Sequence, residues 1–403
     1  MEARAIPAAA APLSRAHEQS AAAVVPWPLV ATLFAATSIV VGIIWDISWH
    51  MSIGRDTFWT PAHMGIYVGG LVAGGANGFL VLHTTFAGSE AQRARSVRIW
   101  GMRGPLGAWV AIWGAGAMLT SAPFDDWWHN AYGLDVQVLS PPHSVLIAGI
   151  LGVVFGAAIT ALTAQNRAES GDGGAAMAAR AGLFRAIYAY ALGVVLTIVF
   201  IGVWQDMHPG FSHGAHFYRA AAYPLPFVLC AALPSLRVRW PATATALVYT
   251  AIFAAMTWTL PLFPATPKLG PIFQPITHFV PMGFPLLLVV PAVLFDLAYQ
   301  RAREANRWLL AAVLGTAFIA SLLAVYWWFG AFLMSPASHN WFFAGGNYNY
   351  NLPPTSRWYR GLFFDADAPG AEFWRGMAWA VGIAIVTSRL GLAFGDWMRR
   401  VRR

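Results

Sequence analysis

Charge is scarce in this sequence: Asp, Glu, Lys and Arg make up 10% of its 403 residues, while 58% are hydrophobic. A water-soluble domain carries about 25% charged residues, so the shortage excludes an ordinary soluble protein and points to a bilayer as solvent. Cysteine is nearly absent as well. The single one, Cys230, lies inside an apolar run, which excludes disulfides and cysteine-ligated metal and leaves it a packing role. Haem-attachment, iron–sulfur and flavin motifs are missing too, so any redox chemistry would need electrons from outside the chain.

What is present is apolar sequence in long runs, at a mean hydropathy of +0.55. Spanning the hydrocarbon takes about 17 to 25 such residues in a helix. Ten segments qualify: Trp27–Trp49, Pro61–His83, Pro105–Ala122, Pro142–Ala164, Leu183–Trp204, Phe217–Leu233, Trp240–Leu260, Ile276–Tyr299, Trp308–Met334 and Phe373–Phe394. The expected fold is therefore an all-α polytopic membrane bundle of about ten transmembrane helices. The sixth segment is short. The eighth holds Pro281, Pro285 and Pro291, which need neighbours to satisfy the freed carbonyls.

Arginines cluster in alternate loops: Arg93, Arg95, Arg98 and Arg103, then Arg167, Arg180 and Arg185, then Arg237 and Arg239, then Arg301, Arg303 and Arg307, then the basic tail. Basic residues stay on the cytoplasmic side of short loops. Both termini are accordingly expected in the cytoplasm, in a multi-pass protein of the bacterial inner membrane. The net charge of +8 follows from this topology and from anionic lipid, so no nucleic-acid partner is inferred. The first apolar run is too long for a signal peptide core, and no cleavage is expected.

Two segments spell one pattern. WDISWHMSIGRDTFWTPAH carries Asp46, His50 and His63, and FDDWWHNAYGLDVQVLSPPH carries Asp125, His129 and His143. They align at Asp, Trp, His, Gly, Asp, Thr/Ser, Pro and His with one residue inserted. Asp and the first His, four apart, share a helix face. The second His follows a Pro that opens the next helix. Helices one and two thus form one hairpin and helices three and four another, related as parallel repeats with both triads on the outer, periplasmic side. Recurrent glycines on helix two (Gly65, Gly69, Gly74, Gly78) and helix four (Gly149, Gly152, Gly156) allow close helix approach.

Of eleven histidines, only His17 and His83 fall outside the outer half; the other nine are His50, His63, His129, His143, His208, His213, His216, His278 and His339. A single interfacial histidine is an anchor more often than a ligand, and His17 and His83 are read so. Two matched sets of a carboxylate and two imidazoles suit a divalent ion. A possible third site comprises Asp206, His208, His213 and His216 in the turn WQDMHPGFSHGAH, against the alternative of a hydrogen-bonded loop. Asp56 and Asp135 are assigned to orienting an imidazole. Asp126 neighbours Asp125, but only Asp125 is four residues from His129.

Two His and one carboxylate suit zinc, non-haem iron or copper, and spacing does not choose among them. The stretch Asp46, His50, Arg55-Asp56-Thr57, Thr60-Pro61, His63 resembles the signature of a membrane subunit of the particulate methane and ammonia monooxygenases, the copper membrane monooxygenase family, in which an Asp/His/His triad binds copper. The family's second copper site is an Asn/His/His set whose separations match Asp125, His129 and His143. The resemblance covers about residues 46–143 and implies two copper sites, with zinc or iron as alternatives. Here Asp125 stands where the family has Asn, adding a negative charge that favours a divalent ion. The family enzyme also has two further subunits.

The function implied is oxidation of a small apolar substrate with dioxygen by a copper monooxygenase or its metal-bearing subunit, with other subunits and an external electron donor such as quinol as partners besides the lipid. A non-catalytic metal-binding, storage or delivery protein is the alternative. Transport would need polar groups through the inner half of the helices, where the first four offer little beyond Asn77, Thr160 and His83. Bis-His haem would need axial pairs near mid-membrane, and these histidines lie at helix ends.

The chain divides into a flexible cytoplasmic tail (1–25), the metal-binding four-helix repeat (26–165), further transmembrane helices (166–334), an aromatic outer loop (335–372), and a last helix with basic tail (373–403). The loop carries seven Phe, Trp or Tyr before Arg360, a content that argues against disorder. It is expected as a lid over the metal sites, or as an aromatic belt anchoring the fold.

Overall fold

The computed structural model describes residues 25–54, 57–133, 139–302, 304–364 and 370–402. It is a bundle of α-helices, with one two-stranded hairpin of Val97–Ile99 and Met102–Gly104. The helices of eight or more residues are α1 (Trp27–Ser52), α2 (Pro61–Phe86), α3 (Leu106–Tyr132), α4 (Pro141–Ser170), α5 (Ala181–Ile201), α6 (Ala215–Ala222), α7 (Leu225–Ser235), α8 (Pro241–Thr259), α9 (Val289–Ala302), α10 (Arg307–Leu333) and α11 (Ala371–Met398). Among the described residues, seven helices are long and apolar enough to cross a membrane: α1, α2, α4, α5, α8 with its 3₁₀ extension, α10 and α11. The chain is a multi-pass membrane protein.

The remaining expected spans differ from simple apolar rods, each for a reason in its sequence. α3 is 27 residues long but less apolar, because its last turns carry Asp125, Asp126, His129 and Asn130. The sixth span is broken into α6 and α7 at Tyr223–Pro224, where Pro224 and Pro226 lack the N–H groups that would continue one helix. The eighth is helical only over the 14 residues of α9. The preceding 263–288 segment, with prolines at 264, 267, 271, 275, 281 and 285, is largely extended.

Extended backbone inside a membrane protein must find partners, and side chains of surrounding elements supply them. Ser48 Oγ donates to the Val280 carbonyl at 2.6 Å, and Ser52 Oγ accepts from Val280 N at 2.7 Å. Trp204 Nε1 donates to Met282 O (3.0 Å) and Thr257 Oγ1 to Gly283 O (2.8 Å). Tyr249 and Tyr326 accept from Leu286 N and Leu287 N at 3.0 and 2.8 Å. Tyr326→Phe leaves the half-buried Leu287 N–H without its partner, at an expected cost of about 1–3 kcal/mol. The check is a lower melting temperature in detergent, with the metal content of the protein unaltered.

α1 packs along α2 and α3 along α4 more extensively than any other helix pairs, and α2 against α3 joins the two hairpins. Small residues set the closeness. A Cβ on Gly114 would lie 2.5 Å from Val153 N, and one on Gly69 would lie 2.6 Å from Ile39 Cγ1. These four helices pack closely, with both Asp/His segments at the same end. The aromatic loop lies at this end too: Tyr350 N donates to Met51 O at 3.1 Å, beside His50, and Phe364 N donates to Gly210 O at 2.8 Å.

Two candidate metal centres

Local sequence places each second histidine. Thr60 and Ser140 cap α2 and α4, their hydroxyls accepting from His63 N at 3.1 Å and from His143 N at 3.4 Å, with prolines in the first turn. The histidine therefore falls at the third helical residue, where the cap fixes its backbone. The first histidine of each set stands in the last turn of α1 or α3. Both helices then stop at a glycine with positive φ, Gly54 (100°) and Gly133 (92°), four residues after His50 and His129. A side chain at Gly54 would be strained and would meet the Tyr350 hydroxyl at 2.6 Å. In α3, Pro123 removes a helix hydrogen bond two residues before Asp125.

Both triads close. His50 Nε2 lies 3.4 Å and His63 Nε2 3.2 Å from separate oxygens of Asp46. His129 and His143 Nε2 each lie 3.3 Å from separate oxygens of Asp125. Within each set, three ligand atoms stand within 4.8 Å of one another. The second is the more enclosed, its carboxylate 6% exposed against 18% for Asp46.

These contacts are too long to be charge-assisted hydrogen bonds, which run about 2.7–2.9 Å. The Oδ1 atoms of Asp46 and Asp125 are buried without a hydrogen bond, although an imidazole nitrogen is close to each. The far nitrogens of two of the rings are held by carbonyls: His63 Nδ1 is 2.6 Å from the Phe58 carbonyl and His129 Nδ1 is 3.3 Å from the Gly133 carbonyl. In the neutral ring this turns Nε2 toward the carboxylate as a potential ligand atom. Ligands about 2.0–2.1 Å from a tetrahedral ion stand about 3.3–3.4 Å apart, the scale of each imidazole–carboxylate separation, although the two rings of a set approach different oxygens. The residues thus fit a divalent ion.

The third group behaves differently. His216 Nε2 is 2.7 Å from Asp206 Oδ1, an ordinary hydrogen bond. His213 stacks between Trp327 and Phe363 and donates Nε2–H to the Trp327 carbonyl at 2.8 Å. His208 stacks on Trp358 at 4.8 Å, and its Nδ1 accepts from Gly210 N at 3.0 Å. The four side chains do not converge. Among the described residues only the two triads form such clusters, and the turn serves to dock the aromatic loop. Asp126 is exposed and pairs with Asn130 at 3.4 Å rather than facing His129. Asp56 and Asp135 lie outside the described residues.

His208 carries a pH dependence. Burial pushes its pKa down from 6.5 to about 4, so the folded state holds it neutral. The associated stability is complete above the ordinary pKa and is lost as pH falls from about 6.5 through 4, at most about 3 kcal/mol. Melting temperature should fall across that window in wild type and fall less steeply in His208→Phe.

Sequence reasoning did not single out the groups around the ligands. The Phe58 and Gly133 carbonyls hold rings. The Thr-Pro and Ser-Pro pairs ahead of each second histidine were the signal for the caps. Comparison with protein-family models, curated proteins and solved structures finds no match for this chain.

Proposed function

We propose that this chain is a copper-binding membrane oxidoreductase, the metal-bearing component of a monooxygenase that oxidises a small apolar substrate with dioxygen. The observation that carries the metal reading is the convergence of two imidazole Nε2 atoms on one carboxylate, with three possible ligand atoms within 4.8 Å of one another, found twice. Copper as the ion rests on the resemblance of residues 46–143 to the copper-binding membrane subunit of the methane and ammonia monooxygenases. The clustering of arginines in alternate loops supports placing both centres on the periplasmic side of a bacterial inner membrane.

Asp46 and Asp125 neutralise part of the ion's charge and hold two imidazoles each in a fixed fan. The carbonyls of Phe58 and Gly133 keep His63 and His129 in the tautomer that presents Nε2. Three protein ligands leave a position open, and an apolar substrate reaches these helix ends through lipid. Copper held there would supply dioxygen binding and one-electron chemistry. Electrons come from an outside donor such as quinol, since the sequence has no second redox group, and companion subunits of the monooxygenase kind complete the enzyme.

Oxygen uptake by membranes containing the protein tests this. With quinol as donor and short alkanes or ammonia as substrate, uptake should require copper and vanish in Asp125→Ala. Two equivalents of bound metal without substrate-dependent uptake would assign the chain to metal storage or delivery instead.

A further inference from the structure

Away from the helices that carry the triads, α6 and α11 touch where Gly376 meets Ala215; a Cβ there would stand 2.4 Å from Ala215 Cβ. Beside this contact the helices part around a cavity of about 610 Å³. Its walls carry His216 and Arg219 from α6, with Glu372, Arg375 and Trp379 from α11. Arg375 is exposed and, among the described residues, bonded only to Glu372, at 3.1 Å. Arg219, one helical turn into α6, is half-buried and has no hydrogen bond or ion pair among the described residues. His216 is already committed to Asp206 through Nε2.

An unpaired guanidinium a turn inside the bundle is expensive in a chain so poor in charge, and such residues mark ligands. Two guanidiniums converging on one cavity match the oxygens of a phosphate, which they can hold through paired N–H donors. The third wall is apolar: Trp379 is 70% exposed and Trp374, on the same helix, 57%, as expected of aromatic rings at the membrane boundary. We propose that the α6–α11 cavity binds a phosphate group between Arg219 and Arg375, the headgroup of an anionic phospholipid whose chains run along Trp379. Phosphate is the recognised chemistry; the tail distinguishes lipid from the free anion. Glu372 opposes it and is displaced from Arg375 when it binds. This inference is independent of the metal centres.

The test is native mass spectrometry of the full chain released from nanodiscs of equal phosphatidylglycerol and phosphatidylcholine. Wild type should retain one phosphatidylglycerol. Arg219→Gln with Arg375→Gln should cut retention about tenfold or more, the scale of losing two charge-assisted contacts. Glu372→Gln should raise it, a change that misfolding does not produce. Displacement of the lipid by millimolar inorganic phosphate would assign the same site to the free anion. Equal retention by wild type and the double variant, or equal retention of phosphatidylcholine, overturns the proposal.

Discussion

Purified protein should carry two equivalents of copper, and His50→Ala and His129→Ala should each lower this to about one, with the double variant near zero. Each substitution leaves an aspartate and one imidazole, two ligands where three met. Loss even of groups that merely orient a ligand costs about 10–100-fold in affinity, so loss of a ligand should empty the site at stoichiometric metal. The centres stand on separate hairpins, so the losses should add. His216→Ala is the informative control. Its Nε2 is engaged with Asp206 at 2.7 Å in an ordinary hydrogen bond, and its removal should leave both equivalents in place. Zinc at both sites, or copper unchanged in His129→Ala, would defeat the oxidase reading.

The contrast between these histidines marks how far the sequence could be read. Asp46, His50, His63 and their counterparts were legible because the pattern is local and repeated: helical spacing puts Asp and His on one face, and a capped Pro turn puts the second His beside them. The 204–216 turn offered the same residue types without periodicity. Its geometry was decided by Trp327, Trp358 and Phe363, more than a hundred residues away, which captured His208 and His213 by stacking. Long-range packing of this kind leaves no trace in spacing. Among the described residues of the aromatic loop, Trp358, Phe363 and Phe364 pack on that turn. Hydropathy located the membrane segments but counted the eighth as a helix. Prolines along 264–285 hold that stretch extended, and its partners include hydroxyls of Ser48, Ser52, Thr257, Tyr249 and Tyr326, scattered over α1, α8 and α10. The choice of Asp125 over Asp126 rested on its four-residue distance from His129; in the structure Asp125 is buried and Asp126 exposed.

Close packing of α3 on α4 should matter to the second centre as much as its ligands do. Gly114→Ala places a methyl 2.5 Å from Val153 N and 2.6 Å from Gly149 O, both backbone atoms that cannot rotate aside. Restoring ordinary contact of 3.4 Å from 2.5 Å needs the helices to separate by about 0.9 Å. Metal–ligand distances tolerate only about 0.2 Å, and this centre takes Asp125 and His129 from α3 but His143 from α4. Separation therefore pulls the trio apart while Asp46, His50 and His63, held by α1 and α2, stay together. Gly114→Ala should lose close to one equivalent of copper, selectively from the second centre, and lower stability by about 1–3 kcal/mol as overpacked cores do. Gly116→Ala, two residues along the same helix, meets nothing within 4 Å and removes a flexible glycine from a helix interior. It should keep both ions and melt no lower than wild type. If Gly114→Ala keeps two ions and melts as wild type does, the interhelical contact is not what holds His143 against Asp125.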